Sequence, residues 1–276
     1  MRKLRITICL ATLLAIALST QAEDFTLTDT QHLDVTKTYI DGYLYDYSTA
    51  NLLTGGNILA NLYVNDQAKL DIFDGSVDSI FTYDNCTVNM SDGTISSYLS
   101  SSGASIVNIS GGNVSWGYVM DSSILNFSDG NIDRRLYSYH SSTVNMSGGS
   151  VSEEICAHNN STVNISGGNV SNKVSAYDTS ILNLSGGSIA NLIAWNSSTV
   201  IFEGYDFTLG QGLSWGLDGQ TIFGTGILTG IWFDHTSFVI PITYHNTDAT
   251  ILAIPEPATL VLLSLAGLFL RKKNRR

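Results

Sequence analysis

The stretch STVNISGGNVS, Ser161 to Ser171, returns almost word for word in the same chain: STVNMSGGSVS begins at Ser142 and SILNLSGGSIA at Ser180. Its triplet Asn164-Ile165-Ser166 has the form of an N-glycosylation acceptor, yet a glycan signal does not need the surrounding valines and glycines to repeat with it. Alignment on Asn164 gives ten centres: Asp34, Leu52, Asp71, Asn89, Asn108, Asn126, Asn145, Asn164, Asn183 and Ile201, spaced 18 or 19 residues apart. A unit this short cannot bury a core alone, so neighbouring copies must stack.

Apolar residues flank nearly every centre, as Val144 and Met146 flank Asn145 or Leu182 and Leu184 flank Asn183. This is the period of two expected of a strand. Six positions after the centre a second apolar column runs from Ile40 and Ile58 through Val77, Ile95, Val114, Ile132, Val151, Val170 and Ile189 to Phe207, and marks a second strand. Between the two lies a glycine column (Gly56, Gly75, Gly93, Gly112, Gly130, Gly149, Gly168, Gly187). Before the next centre lies a column of Asp66, Asp84, Gly103, Asp121, His140, Asn159, Asp178 and Asn196. Both columns hold residue types that tolerate left-handed turn conformations.

Strand, glycine turn, strand and Asx turn in register describe an all-β chain, a single-stranded parallel β-helix of about ten coils over residues 23–209. The drift between 18 and 19 residues, without a clean six-residue apolar period, favours a right-handed solenoid over a left-handed one. At roughly 4.8 Å per coil the rod would be about 45–50 Å long. After Gly210 the pattern breaks into alternating segments around Thr221–Phe223, Ile227–Phe233, Ser237–Tyr244 and Ala249–Ile254, which read as a C-terminal β cap over 210–254. Phe25 to Thr30 would help to close the other end.

Both termini read as processing signals. Arg2, Lys3 and Arg5 precede an apolar run, Ile6–Leu18, and a small-residue end at Ala22, which together give a secretory signal over residues 1–22. At the other end Pro255-Glu256-Pro257 precedes an apolar stretch, Ala258–Leu270, and then five basic residues ending in Arg276. This order over residues 255–276 resembles the PEP-CTERM sorting signal. The resemblance implies export in a Gram-negative bacterium that makes extracellular polysaccharide, processing by an exosortase-type membrane protease, and delivery to the cell surface or matrix. The apolar stretch, roughly 20 Å as a helix, is short for a permanent span and suits a transient inner-membrane anchor; the basic tail suits the cytoplasmic side.

The whole chain carries a net charge of −11. The two signals hold eight of its thirteen Lys and Arg but only one of its 24 Asp and Glu, so the body between them carries about −18. Such a surface repels phosphates and excludes nucleic acid as a partner class. Cys86 and Cys156 would lie more than three coils apart, roughly 15 Å, beyond the ~7 Å a disulfide spans, which predicts two unpaired thiols.

Six centres, Asn89, Asn108, Asn126, Asn145, Asn164 and Asn183, open N-x-S triplets and occupy one position of six successive coils. Stacked amides bonding along the rod account for that placement. With Thr87, Thr143 and Thr162 beside them they also form a flat outward face of the kind that meets sugar hydroxyls, which makes extracellular polysaccharide a candidate partner. An alternative is a polysaccharide lyase or hydrolase using the acidic corner where Asp66 stacks on Asp84 and Asp74 on Asp92, with Lys69 and Asp71 nearby. Paired carboxylates about 5 Å apart share a proton or bind Ca²⁺, so Asp74 and Asp92 are also the metal candidates. Asp-Gly pairs are ordinary turn dipeptides, however, and no long insertions wall a cleft. His140, His158, Glu153 and Glu154 match no ligand spacing and read as solvated turn residues. The reading is therefore a structural or adhesive solenoid with no catalytic residue and no cofactor, binding through repetition.

Overall fold

A computed structural model describes residues 22–244 and 248–254; the secretory signal, apart from Ala22, and the sorting signal with its expected helix lie outside the described residues. Every regular element described is a strand, and no helix among the described residues is long and apolar enough to cross a membrane. The architecture is a parallel β-solenoid of about nine turns.

Each coil presents three strands where the sequence pattern shows two. In one repeat these are Thr143–Met146, Ser150–Val151 and Glu154–Ala157. Each pairs in parallel with its counterpart in the next coil, Thr162–Ile165, Asn169–Val170 and Lys173–Ala176. Three parallel ladders therefore run the length of the rod, one per face. Along the first, inward and outward residues alternate, as in Thr143 (half-buried), Val144 (buried), Asn145 (half-buried) and Met146 (buried).

The core is a set of stacked single-residue columns. Coil 161–179 contributes Val163, Ile165, Val170, Val174 and Ala176, all at most 1% exposed. The larger of these side chains each contribute about 1.5–3 kcal/mol on burial. A column of small residues also faces inward: Ser48, Ala68, Cys86, Ser105, Ser123, Ser142, Ser161, Ser180 and Ser198 are all fully buried. Most of the serine hydroxyls are spent inside the rod, Ser198 Oγ being the exception. Ser142 Oγ, for example, reaches Val119 O at 2.9 Å and Ser138 Oγ at 2.8 Å, which offsets the cost of burying it.

The two turn columns take the left-handed conformation. Asp66, Asp84, Asp121, His140, Asn159, Asp178 and Asn196 have φ between 55° and 59°, and Asp29 and Asp46 extend the column toward the N-terminus at 54° and 57°. On the glycine side, Gly168 has φ 85°, and a Cβ there would lie 2.5 Å from Met146 Cε and 2.7 Å from Gly148 O. Backbone conformation and space both exclude a side chain at that position.

Register corrects three positions in the first coils. Asn51, not Leu52, pairs with Asp34 and with Asp71, so the first two spacings are 17 and 20 residues. Leu52 instead points inward and is fully buried. Tyr39, not Ile40, pairs with Ile58; Tyr39 is 7% exposed and Ile40 37%. The left-handed glycine of that turn is Gly55 (φ 84°) rather than Gly56. The long coil absorbs its additional residue in a bulge between Ile58 and Asn61. At the far end of the column Phe207 is only partly buried against the core.

The cap continues the ladders before it closes them. Ser237–Tyr244 adds a parallel rung to the third ladder beside Leu192–Ala194, and Thr250–Ile254 adds one to the first beside Thr199–Leu209. The antiparallel strands Gly226–Trp232 and Thr221–Gly224 then pair with the exposed edges, so no open parallel edge is left on those two rungs. Inside, Trp232 is fully buried, stacks 4.0 Å from Phe238, and donates from Nε1 to Gly187 O at 3.1 Å. At the N-terminal end Phe25 packs edge-on against Tyr39 at 4.9 Å.

Candidate functional site

The outward column of the first face is a continuous amide ladder. Nδ2 of Asn183 donates to Oδ1 of Asn164 at 2.7 Å, and the same bond links Asn164 to Asn145 (2.7 Å), Asn145 to Asn126 (2.9 Å), Asn126 to Asn108 (2.8 Å) and Asn108 to Asn89 (2.8 Å). Asn89 then donates to Asp71 Oδ1 at 2.7 Å, and a shorter run repeats the device where Asn51 donates to Asp34 at 2.8 Å. All donors point toward the N-terminal coil, so the run ends on a carboxylate, a group that only accepts. Hydrogen bonds from Asn51 and His32 hold the Asp34 carboxyl below its ordinary range. Each amide is thus engaged within the rod, and Thr87, Thr143 and Thr162 stand half-buried at its side.

The acidic corner works as backbone capping. Asp46 Oδ2 accepts the N–H of Asp29 at 3.0 Å, and Asp66 Oδ2 accepts that of Asp46 at 3.0 Å. Farther along, Asp121 caps Gly103, Asn159 caps His140 and Asp178 caps Asn159, at 3.1, 3.1 and 2.9 Å. One side chain in each of these turns therefore satisfies the turn N–H of the coil before it. Asp84 is exposed in this same column, with φ 56°. Asp74 and Asp92 bond to the following N–H groups, Gly75 and Gly93, both at 2.7 Å, and Thr54 Oγ1 donates to Asp74 at 2.7 Å. These bonds, that of Thr54 first, hold the Asp74 carboxyl below the usual range. Lys69 Nζ lies 2.7 Å from Asp71 Oδ2, so the lysine is paired with the end of the amide ladder. No group of three or more metal-ligating side chains forms among the described residues.

The third face carries what the sequence pattern leaves unread. Its strands bring Tyr43, Tyr63 and Phe81 into one column and Tyr118 and Tyr137 farther along it. The rings stack coil on coil: Tyr43 on Tyr63 at 5.1 Å, Tyr63 on Phe81 at 5.4 Å and Tyr118 on Tyr137 at 5.2 Å. A parallel column continues from Tyr139 through His158 to Tyr177, with centroids 4.9 and 4.7 Å apart. Such contacts stabilise the rod beyond their area. Tyr83 and Tyr98 remain open to solvent, at 41% and 45%. The face is an aromatic strip opposed in chemistry to the amide face.

This arrangement corrects two residues expected to be solvated turn groups. His158 lies between two tyrosine rings, where burial lowers its pKa. Glu154 is 4% exposed: Ser175 Oγ donates to its Oε1 at 2.7 Å, Lys173 Nζ lies 3.2 Å away and Arg135 Nε 3.9 Å away. Arg135 also holds the more exposed Glu153 at 3.0 Å. Cys86 and Cys156 are free and buried, and burial pushes both thiols up, Cys86 to about 11.

No protein-family model matches the chain, and no curated protein or solved structure is significantly similar to it.

Proposed function

We propose that the chain is an exported β-solenoid of the cell surface or extracellular matrix, a structural or adhesive rod associated with extracellular polysaccharide. The observation that carries this reading is repetition in register: from Asp34 to Asn183 one outward amide or acid column recurs coil after coil, and aromatic rings recur in two neighbouring columns of another face, with only short bulges between ladders. A surface of that kind offers many equal weak contacts a few ångströms apart, which add by avidity. The capping bonds made by Asp46, Asp66, Asp74 and Asp92 support a structural use of the acidic corner. We place the solenoid in the right-handed class on its coil length. The PEP-CTERM-like residues 255–276, with Ala258–Leu270 as a transient membrane helix, are the export and sorting route, and an exosortase-type protease is the processing partner.

The test is to incubate the protein with extracellular polysaccharide from the producing bacterium, scoring co-sedimentation and new sugar ends in the same sample. Binding without cleavage is expected, weakened when the exposed Tyr83 and Tyr98 are changed to alanine and when Thr143 and Thr162 are changed to lysine, with circular dichroism unchanged. Release of sugar ends that disappears in Asp84→Ala would overturn the reading in favour of an enzyme.

A further inference from the structure

The cap carries a hairpin that gives the core Ile222, with Leu213 packed against it, and then runs on past it into solvent. Leu213–Trp215 pairs antiparallel with Thr221–Gly224 across the turn Gly216–Gln220. At its tip Leu217 is fully exposed, and Trp215 and Phe223 are 41% and 46% exposed beside it. The Phe223 ring leans over the turn: a Cβ on Gly216 would lie 3.0 Å from Phe223 Cε2. Three large apolar side chains thus stand exposed at the end of a two-stranded ribbon, Trp215 on the face of Ile222 and Phe223 on that of Ser214, where hydration is unfavourable for each.

Position gives the cluster an occupant. Thr221 and Ile222 pair with Leu252 and Ile251 of the last strand, and Ala253 N donates to Gln220 O at 2.9 Å. The hairpin tip therefore lies beside Ile254, the point from which the chain runs on into Pro255 and the apolar stretch Ala258–Leu270. We propose that Trp215, Leu217 and Phe223 form a lipid-contacting tip, which enters the membrane interface while the C-terminal stretch anchors the chain. This rests on the anchor reading of that stretch. Tryptophan favours the interface, where its ring meets acyl chains and its N–H meets water. Asp218 is compatible with that depth: hydrogen bonds from the side chain and backbone of Thr221 and from Gln220 N already serve its carboxylate, whose pKa they hold down at about 2. Headgroup water can solvate what remains.

The experiment uses the full chain and phosphatidylcholine vesicles with brominated acyl chains. Bromine quenches a tryptophan only on contact, and of the other three tryptophans Trp232 is buried while Trp116 and Trp195 belong to the third-face ladder. The expected result is quenching that is lost in Trp215→Phe, with vesicle affinity reduced about tenfold in Leu217→Asp. A bound chain whose quenching is unchanged by Trp215→Phe would overturn the tip contact and leave the anchor standing. Vesicle binding undiminished after Leu262→Lys with Leu265→Lys would overturn the anchor reading, and would overturn the tip as well if Trp215 is then unquenched. A shift of Trp215 emission with protein concentration in the absence of lipid would assign the patch to a second copy of the chain and overturn lipid as its occupant.

Discussion

Asn164 Nδ2 donates to Asn145 Oδ1 at 2.7 Å, while Asn145 donates in turn to Asn126 at 2.9 Å, so the Asn145 amide acts as donor and acceptor at once. A carboxylate in its place accepts from Asn164 but gives Asn126 nothing. Asn145→Asp should therefore lower the urea midpoint, at a cost of about 1–2 kcal/mol. Asp71 differs because it already ends the run: Asp71→Asn still accepts from Asn89 and gains a donor facing Asn51, its partner in register. It gives up only the ion pair with the half-exposed Lys69, so its midpoint should stay close to that of the native protein. Equal losses in the two variants would show that the direction of the ladder carries no energy.

At the corner, Asn159 combines a left-handed backbone (φ 56°) with a side chain that accepts the His140 N–H. Asn159→Gly relieves the conformational demand but removes the acceptor, whereas Asn159→Ala loses on both counts. Alanine should cost about 1 kcal/mol more than glycine. Paired thermal melts measure the gap, and an alanine variant as stable as the glycine one would contradict it.

The ladders were legible where chemistry kept one residue type per column. Valine beside asparagine, and glycine or aspartate at the turns, survive nearly unchanged from coil to coil. The third strand was not legible, because one inward column, Ile80, Leu99, Gly117, Leu136, Ile155, Val174 and Leu192, drifts in its distance from the centre, and the other mixes Val64, Thr82, Ser101, Val119, Ser138 and Ala157, all buried. Hydroxyls there are paired internally, as Thr82 Oγ1 is with Ser105 Oγ at 2.8 Å, and a serine that is satisfied inside the rod looks like a surface residue in the sequence. The aromatic strip was hidden for a related reason. Its rings are divided between two neighbouring columns and interrupted by Ser100 and Cys156, so no single column repeats cleanly. The acidic corner was legible as a turn, but its use as a cap for the preceding coil needed the φ values and the bond directions.

The buried thiols set a pH dependence. Folding holds the proton on Cys86, pushed up to about 11, and burial raises Cys156, Tyr118 and Tyr139 as well. The unfolded chain releases its thiol protons from about pH 9 upward, so above that point the unfolded state binds fewer protons than the folded one. Stability is therefore fully present below about pH 9 and falls as pH rises toward 11. Urea midpoints at about pH 8 and pH 10.5 should decrease in that order, and Cys86→Ala should flatten part of the slope. In native buffer both thiols should resist a disulfide reagent until the chain is unfolded; fast labelling of folded protein would contradict their burial.

Glu154 provides the sharpest test of the third face. Its carboxylate is buried, and Lys173 at 3.2 Å with Ser175 at 2.7 Å supplies its nearest donors. Removing the cation leaves a buried charge served only by Ser175 and the more distant Arg135. Lys173→Met should therefore cost about 2–4 kcal/mol, whereas Glu154→Gln, which leaves the lysine able to turn to water, should cost about 1. The double variant should recover much of the larger loss, because the uncompensated charge is gone. A complete denaturation cycle over the four proteins measures that coupling. Strict additivity would mean that Lys173 and Glu154 are neighbours without energetic connection, and that the aromatic columns beside them hold this part of the rod unaided.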